Sequence, residues 1–345
     1  THATGVLDTP YIPGGRSPHV EPGILLGEER EPSSAIELVG LAESLGYGRA
    51  WFGEHVLVRD SLAMVAASAV RTRRIGLGSG AINVWTRNVG TVAAAARTLH
   101  GLAPHRVALG IASGEEALER VGVRRERPLR AMEEYVTVLR RLLSGEEVTF
   151  SGEHVRVERA RIAPTPEGQL DVKIYVAATG TRMLELAGGI ADGVILNFLL
   201  DDRRIEESVR AVRRGAGARA PEVHALVATS ADPDPEAALE EARRFIASFA
   251  RIAPGFASEV GLRGEGRELR DALPEDLVRG LAAVGTPEEC ARRLREVAER
   301  HGVVPDLHVL GPRPEWTLRR IAEELGLARG RERGPGRARR TGPRR

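Results

Sequence analysis

Residues Ala50 to His55 read AWFGEH: an apolar run, a glycine, then a carboxylate and an imidazole side by side. Apolar runs that stop this abruptly read as buried strands. Glu54 and His55 are of the two types best suited to moving protons near neutral pH. An unperturbed imidazole titrates at about 6.5, and burial lifts a carboxylic acid towards that range. Similar punctuation recurs downstream. Ser79-Gly80-Ala81-Ile82-Asn83 follows one apolar run and Ala112-Ser113-Gly114-Glu115-Glu116 another. Ala177-Ala178-Thr179-Gly180-Thr181-Arg182 follows a third, and Asn197 a fourth. Any one of them reads equally well as an ordinary polar loop; their recurrence argues for a shared pocket.

Eight segments read as the strands that would carry these groups: 20–26, 49–52, 75–78, 107–111, 172–177, 193–196, 222–228 and 307–310. Between them lie stretches with apolar residues three and four apart, such as Ala35-Leu38-Val39-Ala42-Leu45, the alanine-rich Val89–Leu99, and Leu129-Met132-Val136-Leu139-Leu143. Alternating strands and helices predict βαβ units. Eight of them predict an α/β fold, a (β/α)8 TIM barrel, with a doubly wound open sheet as the other topology. In such a barrel the residues just past the C-terminal strand ends line one mouth, which gives Glu54 and His55 a reason for their position. Thr286-Pro287-Glu288-Glu289 predicts a capping box opening a helix to about Arg300. Segment 147–162 reads as an inserted β-hairpin, and 251–280 as a second insertion. The expectation is one barrel domain over residues 1–327, followed by a tail.

Composition narrows the function classes. The single cysteine, Cys290, excludes a disulfide framework and a thiolate zinc cluster. No apolar run approaches the roughly 20 residues of a membrane span. The first residues lack the charged and apolar regions of a signal peptide, so a cytoplasmic setting is expected. The tail from Ala328 to Arg345 holds eight arginines and one glutamate, net +7, which leaves −5 for the remainder of a +2 chain. Gly, Pro and Arg bury no apolar area, so the tail is expected to be a solvated, disordered terminus, and neither a nucleic-acid nor a membrane partner is expected.

The run AATGTRMLELA sends a strand into a helix through Thr179-Gly180-Thr181. Unpaired N–H groups at a helix start suit a phosphate, and Thr179 and Thr181 add hydroxyl donors. GLGSGA, residues 76–81, mimics a dinucleotide fingerprint but lacks the acidic residue about 20 positions on. HExxH, a Walker loop and a Cys/His cluster are all missing from the sequence, so metal and nucleoside-triphosphate chemistry have no support. Glu115 is a candidate general acid, Glu116 a solvated helix residue, and Trp85 either a surface on which a planar substrate could stack or, equally, a packing residue.

In these stretches the chain resembles the bacterial-luciferase-like superfamily, and within it the branch typified by methylenetetrahydromethanopterin reductase, which uses the deazaflavin coenzyme F420. The stretches are LAESLGYGRAWFGEH, RIGLGSGAINVWTRN, RVALGIASGEEALERVGV, VAATGTRMLELAGGIADGVILN, the FIASF and GFASEVGL region, and AVGTPEE. The resemblance implies a cofactor phosphate side against Ala177, Ala178, Thr179, Gly180, Thr181 and Met183. It implies a ring over Ser79, Gly80, Ala81, Asn83 and His55, and a non-prolyl cis peptide at Gly80–Ala81 that supports one face of that ring. It further implies hydride transfer at deazaflavin C5, His55 as the acid–base group, Glu115 as proton donor, Glu54 orienting from behind, a small organic substrate, and a homodimer. Two departures concern the substrate: Glu54-His55 stands where the reductase branch has Asp-His, and Gly114-Glu115 where it has Gly-Asp. The same barrel would equally serve an FMN-dependent monooxygenase using oxygen and reduced flavin, or a non-catalytic flavin-binding protein.

Overall fold

The structure, a computed structural model, describes residues 21–114, 116–164, 170–252, 257, 262–264 and 266–327. Eight parallel strands close on themselves in the order β1 (Gly23–Leu26), β2 (Arg49–Phe52), β3 (Gly76–Asn83), β4 (Val107–Ala112), β7 (Lys173–Ala178), β8 (Gly193–Leu196), β9 (Glu222–Ala231) and β11 (Val304–Val309). The ring is completed where β1 pairs with β11 and β8 with β9. All eight expected strands are present, and the open sheet is excluded by this closure.

Their bounds differ where a bulge or a polar residue interrupts the apolar pattern. Ser79 to Asn83, expected beyond the third strand, belongs to β3: the register against β4 shifts between Ser79 and Ile82, and the strand resumes. β11 begins at Val304 because Asp306 points into the barrel rather than ending it. Between β4 and β7, β5 (Val148–Ser151) and β6 (Arg156–Ala160) form an antiparallel hairpin. Its turn is pinned by the buried Glu134 carboxylate, which accepts from the amides of Glu153, His154 and Val155 at 3.1, 2.9 and 3.1 Å. A short strand, β10 (Ala283–Gly285), extends the sheet beside the far end of β9.

Helices wrap the strands: α1 (Pro32–Leu45), α2 (Ser61–Arg71), α3 (Val89–Leu102), α4 (Pro128–Leu143), α5 (Thr181–Ile190), α6 (Asp202–Ala216) and α7 (Pro235–Ile252), with further helices at Gly266–Ala272, Glu275–Leu281, Pro287–His301 and Pro314–Leu325. Ala35, Leu38, Val39 and Ala42 of α1 are all buried, as their spacing requires. The capping box is formed by Thr286 and Glu289. Gly188 and Gly215 explain the LAGGIADG stretch: a Cβ at either would collide with backbone of the facing helix, so they let α5 and α6 meet backbone to backbone. Cys290 is fully buried, and burial pushes its thiol up to about 12, so it serves as packing.

The main core lies between strands and helices. The barrel interior holds a smaller cluster of Leu25, Trp51, Ala108, Tyr175 and Ile195. There the rings of Trp51, Tyr175 and His224 meet edge to face at 5.1 to 5.4 Å. Gly23, Gly78 and Gly193 make room, since a Cβ at each would strike Asp306, Trp51 and Tyr175 respectively. His224 bonds Asp306 at 2.7 Å through Nδ1, and the Tyr175 hydroxyl donates to Glu222. This ionic plug fills the barrel below the mouth.

Candidate active site

The loop after β2 carries Glu54 and His55, but they face different partners. Glu54 is a structural anchor. Its carboxylate takes a two-pronged bond from Arg87 at 2.7 and 2.9 Å, and further bonds from the Ser61 hydroxyl at 2.6 Å and the Ser61 amide at 3.0 Å. Arg87 reaches Asp60 as well, at 2.8 Å. Burial pulls the guanidinium pKa down, but the bonds and charges of Glu54 and Asp60 outweigh it and hold the group above its ordinary value. Glu54 therefore does not orient His55, a correction to the sequence reading: four donors already fill its oxygens.

Glu28 takes that place. It lies in the loop after β1, and its Oε1 is 2.8 Å from His55 Nδ1. Burial raises the Glu28 carboxyl, yet the hydrogen bond and charge of His55 and the charge of Arg59 prevail and hold it below the usual carboxylate range. Arg59 ties the loop down by donating to the Gly27 carbonyl at 2.8 Å and to the Arg30 carbonyl. Glu28 could have been found from the sequence, because GEER follows the first strand just as GEH follows the second.

At the end of β3, the Gly80–Ala81 peptide is cis, and both residues are half-buried. A Cβ at Gly80 would lie 3.3 Å from the Trp51 Cβ, so the backbone runs directly over the interior tryptophan. Ser79, expected to face a cofactor, is fully buried. Its hydroxyl donates to the Gly110 carbonyl at 3.2 Å and accepts from the Gly110 amide at 3.0 Å, stitching the bulge to β4. Asn83 is also buried, and its Oδ1 accepts from the Trp85 amide at 2.9 Å. Both residues shape the wall rather than touch its surface. Trp85 donates through Nε1 to the Ser113 carbonyl at 3.0 Å and packs against His154 of the hairpin turn at 5.3 Å. Glu115 lies outside the described residues.

At the end of β7, Ala177 and Ala178 lead into Thr179, Gly180 and Thr181, which are exposed; Met183 is half-buried. Helix α5 starts with Gly180 as N-cap and no side-chain cap bond. Among the described residues its first amides have no side-chain cap, and nothing lies within 4 Å of where a Gly180 Cβ would be. An open, uncapped helix start at the C-terminal face of a barrel fits a phosphate. A small cleft between α6 and the helix Pro287–His301 is lined by Asn197, Leu200, Ala225, Val227, Leu281 and Arg293. Among the described residues no group of three or more His, Cys, Asp or Glu side chains could hold a metal ion, and no helix is long and apolar enough to cross a membrane.

A closed (β/α)8 barrel with a His55–Glu28 pair and an uncapped helix start at its C-terminal strand ends is the layout of a class of enzyme scaffold. Residues 14–304 match the family model described as luciferase-like monooxygenase, and the chain belongs to that family. It is 29% identical over 308 residues to the 5,10-methylenetetrahydromethanopterin reductase of Methanolobus tindarius, covering 83% of this chain and 93% of that one. It is 30% identical to the F420-dependent glucose-6-phosphate dehydrogenase of Mycolicibacterium fortuitum, covering 77% and 85%. Among solved structures, the coenzyme F420-dependent tetrahydromethanopterin reductase of Methanopyrus kandleri superposes with a TM-score of 0.76 at 23% identity, over 88% of this chain and 98% of that one.

Proposed function

We propose that this protein is an F420-dependent oxidoreductase that moves a hydride between the deazaflavin and a small organic substrate. The observation that carries the reading is the exposed, uncapped start of α5, set at the same barrel face as the His55–Glu28 pair. The F420 dependence of the glucose-6-phosphate dehydrogenase relative supports it. When bound, the deazaflavin supplies the hydride chemistry. The chain's own part is positioning and proton handling. The first amides of α5, with the hydroxyls of Thr179 and Thr181, hold the phosphate. The Gly80–Ala81 backbone, carried over Trp51, backs the ring. His55, fixed through Nδ1 by Glu28, and Glu115 give or take the proton that accompanies the hydride. The same reading takes residues 1–327 as one barrel domain and the enzyme as a homodimer.

The test is equilibrium fluorescence titration of the purified protein with F420 and, separately, FMN, at equal salt. Micromolar or tighter F420 binding with weaker FMN binding is expected. The reverse order would move the assignment to an oxygen-using monooxygenase, and binding of neither would overturn it.

A further inference from the structure

Several arginines stand in the loops beyond the strand ends, and most have their guanidinium groups occupied. Arg30 donates to the Val309 carbonyl, and Arg59 to the carbonyls of Gly27 and Arg30. Arg87 holds Glu54 and Asp60, and Arg127 holds both carboxylate oxygens of Glu153. Arg125 differs. Its Nε donates to the Ser113 carbonyl at 2.7 Å, one residue past the end of β4. The side chain is otherwise exposed, and among the described residues Nη1 and Nη2 have no partner. An exposed arginine is ordinarily a solvated group that loses freedom when it binds anything. One pinned at Nε has already lost much of that freedom, so less is lost on binding.

The same Ser113 carbonyl accepts a second bond, from Trp85 Nε1 at 3.0 Å. The indole and the guanidinium therefore meet at one backbone oxygen, between the loops that follow β3 and β4. Trp85 is half-buried. The His154 ring meets it edge to face at 5.3 Å, and the His154 amide donates to the buried Glu134 carboxylate at 2.9 Å. The indole is thus held in place on both sides of its ring system. A guanidinium whose Nε is occupied still presents two parallel N–H groups along its Nη1–Nη2 edge, a spacing that matches the two oxygens of a carboxylate. A single fork carries one charge and balances one, whereas a phosphate is better served by several converging donors, such as a helix start. Beside the fork, the indole offers an apolar face for a flat ring.

We propose that Arg125 and Trp85 form a subsite for an aromatic carboxylate. The carboxylate oxygens accept from Nη1 and Nη2, and the ring lies on the indole. The subsite deepens the hydride-transfer reading by naming the class of its substrate, and it rests on that reading for the reaction that follows binding. Ser113 directly precedes Gly114 and Glu115 in the chain, so an acid held here is anchored beside the proposed proton donor.

Ligand-observed NMR titration with benzoate and benzamide, on the protein with and without F420, tests it. The two probes share a ring and a planar head group, but only benzoate is charged. Benzoate is expected to bind about tenfold more tightly at low salt, the worth of an exposed charge-assisted fork, and the preference should shrink as salt is added. Arg125→Gln should abolish the preference and leave F420 affinity unchanged. Arg125→Lys keeps the charge without the fork and should retain only part of it. Trp85→Leu should weaken both probes alike. Equal affinities for the two probes, or a preference that survives Arg125→Gln, would overturn the subsite. Inorganic phosphate that displaces benzoate more tightly than benzoate itself binds would overturn the carboxylate assignment. A loss of F420 affinity in Arg125→Gln would give the fork to the cofactor and overturn its substrate role. If the benzoate preference holds and F420 does not bind, the subsite stands and the hydride-transfer reading fails.

Discussion

Replacing Gly180 by aspartate separates the structural role of the α5 start from its proposed ligand role, because the two respond with opposite signs. Gly180 has φ −80° and ψ 141°, an extended N-cap geometry open to any residue, and its Cβ would enter open space. Aspartate there can accept a bond from the first turn, so Gly180→Asp should stabilise the fold by a few tenths of a kcal/mol. The same carboxylate would stand where the phosphate is proposed to bind. Two unit charges about 5 Å apart at an effective dielectric of about 20 repel by roughly 3 kcal/mol. Solvent at this exposed corner reduces that to roughly 2 kcal/mol, or about thirtyfold in affinity. Urea unfolding followed by circular dichroism reads the first effect, and F420 fluorescence titration reads the second. An unchanged F420 affinity in a variant that is stable and folded would refute the placement of the phosphate at α5.

Glu54→Gln should cost roughly 2 kcal/mol in urea unfolding, less than a fully buried pair because Arg87 keeps Asp60, and should leave F420 affinity intact. Unchanged stability with a hundredfold slower reaction would instead make Glu54 a proton-transfer group. His55→Ala removes the hydrogen bond and charge that oppose burial most strongly at Glu28, leaving only a backbone hydrogen bond and the Arg59 charge against it, so the carboxyl pKa should rise; carbon-13 NMR of the carboxyl shows whether it moves upward. Stability should also depend on pH through the interior plug. His224 is pushed up to about 9: burial lowers it, but Asp306 and Glu222 outweigh burial. Its contribution is present below the unfolded value of 6.5 and is lost as pH rises to 9. Glu222, held at about 2 first by its hydrogen bond to His224, contributes above 4.5 and loses that contribution as pH falls towards 2. The unfolding free energy should therefore be greatest between pH 4.5 and 6.5 and fall by roughly 2–3 kcal/mol by pH 9. His224→Gln should flatten the alkaline decline, and a wild-type curve level to pH 9 would contradict the assignment.

The barrel was legible because its signal is repeated: eight apolar runs, each followed by a helical period, leave few topologies. Local features with a strict chemical grammar were legible too, such as the Thr286–Glu289 capping box. Pairing across the barrel was not legible. Glu54 and His55 are adjacent in sequence, yet the loop turns one towards Arg87 and the other towards Glu28, 33 and 27 residues away. Neither partner follows from local spacing. The interior plug left a trace that could have been read: Glu222-x-His224 and Asp306-x-His308 place polar residues at alternate positions of two strands, which puts them on one face. In a closed parallel barrel that face is the lumen, so polar alternation in otherwise apolar strands is a sign of interior chemistry.

That alternation bears on how the site is built. Along β11 two inward positions are Asp306 and His308, one level apart. Asp306 is held by His224 and helps keep that imidazole charged, deep in the barrel. His308, one level higher, has no carboxylate bonded to it; burial among phenyl rings keeps it neutral. The same residue type thus occurs in two protonation states within one barrel, and the neighbours decide which. A charged pair suits the closed floor, where geometry is fixed and nothing needs to enter. A neutral imidazole suits the level above, where no carboxylate is bonded to it and burial would penalise a charge. Exchanging the two environments, by placing a carboxylate beside His308, would be expected to raise that imidazole and charge it, which the pH dependence of its ring carbon-13 shifts reads directly.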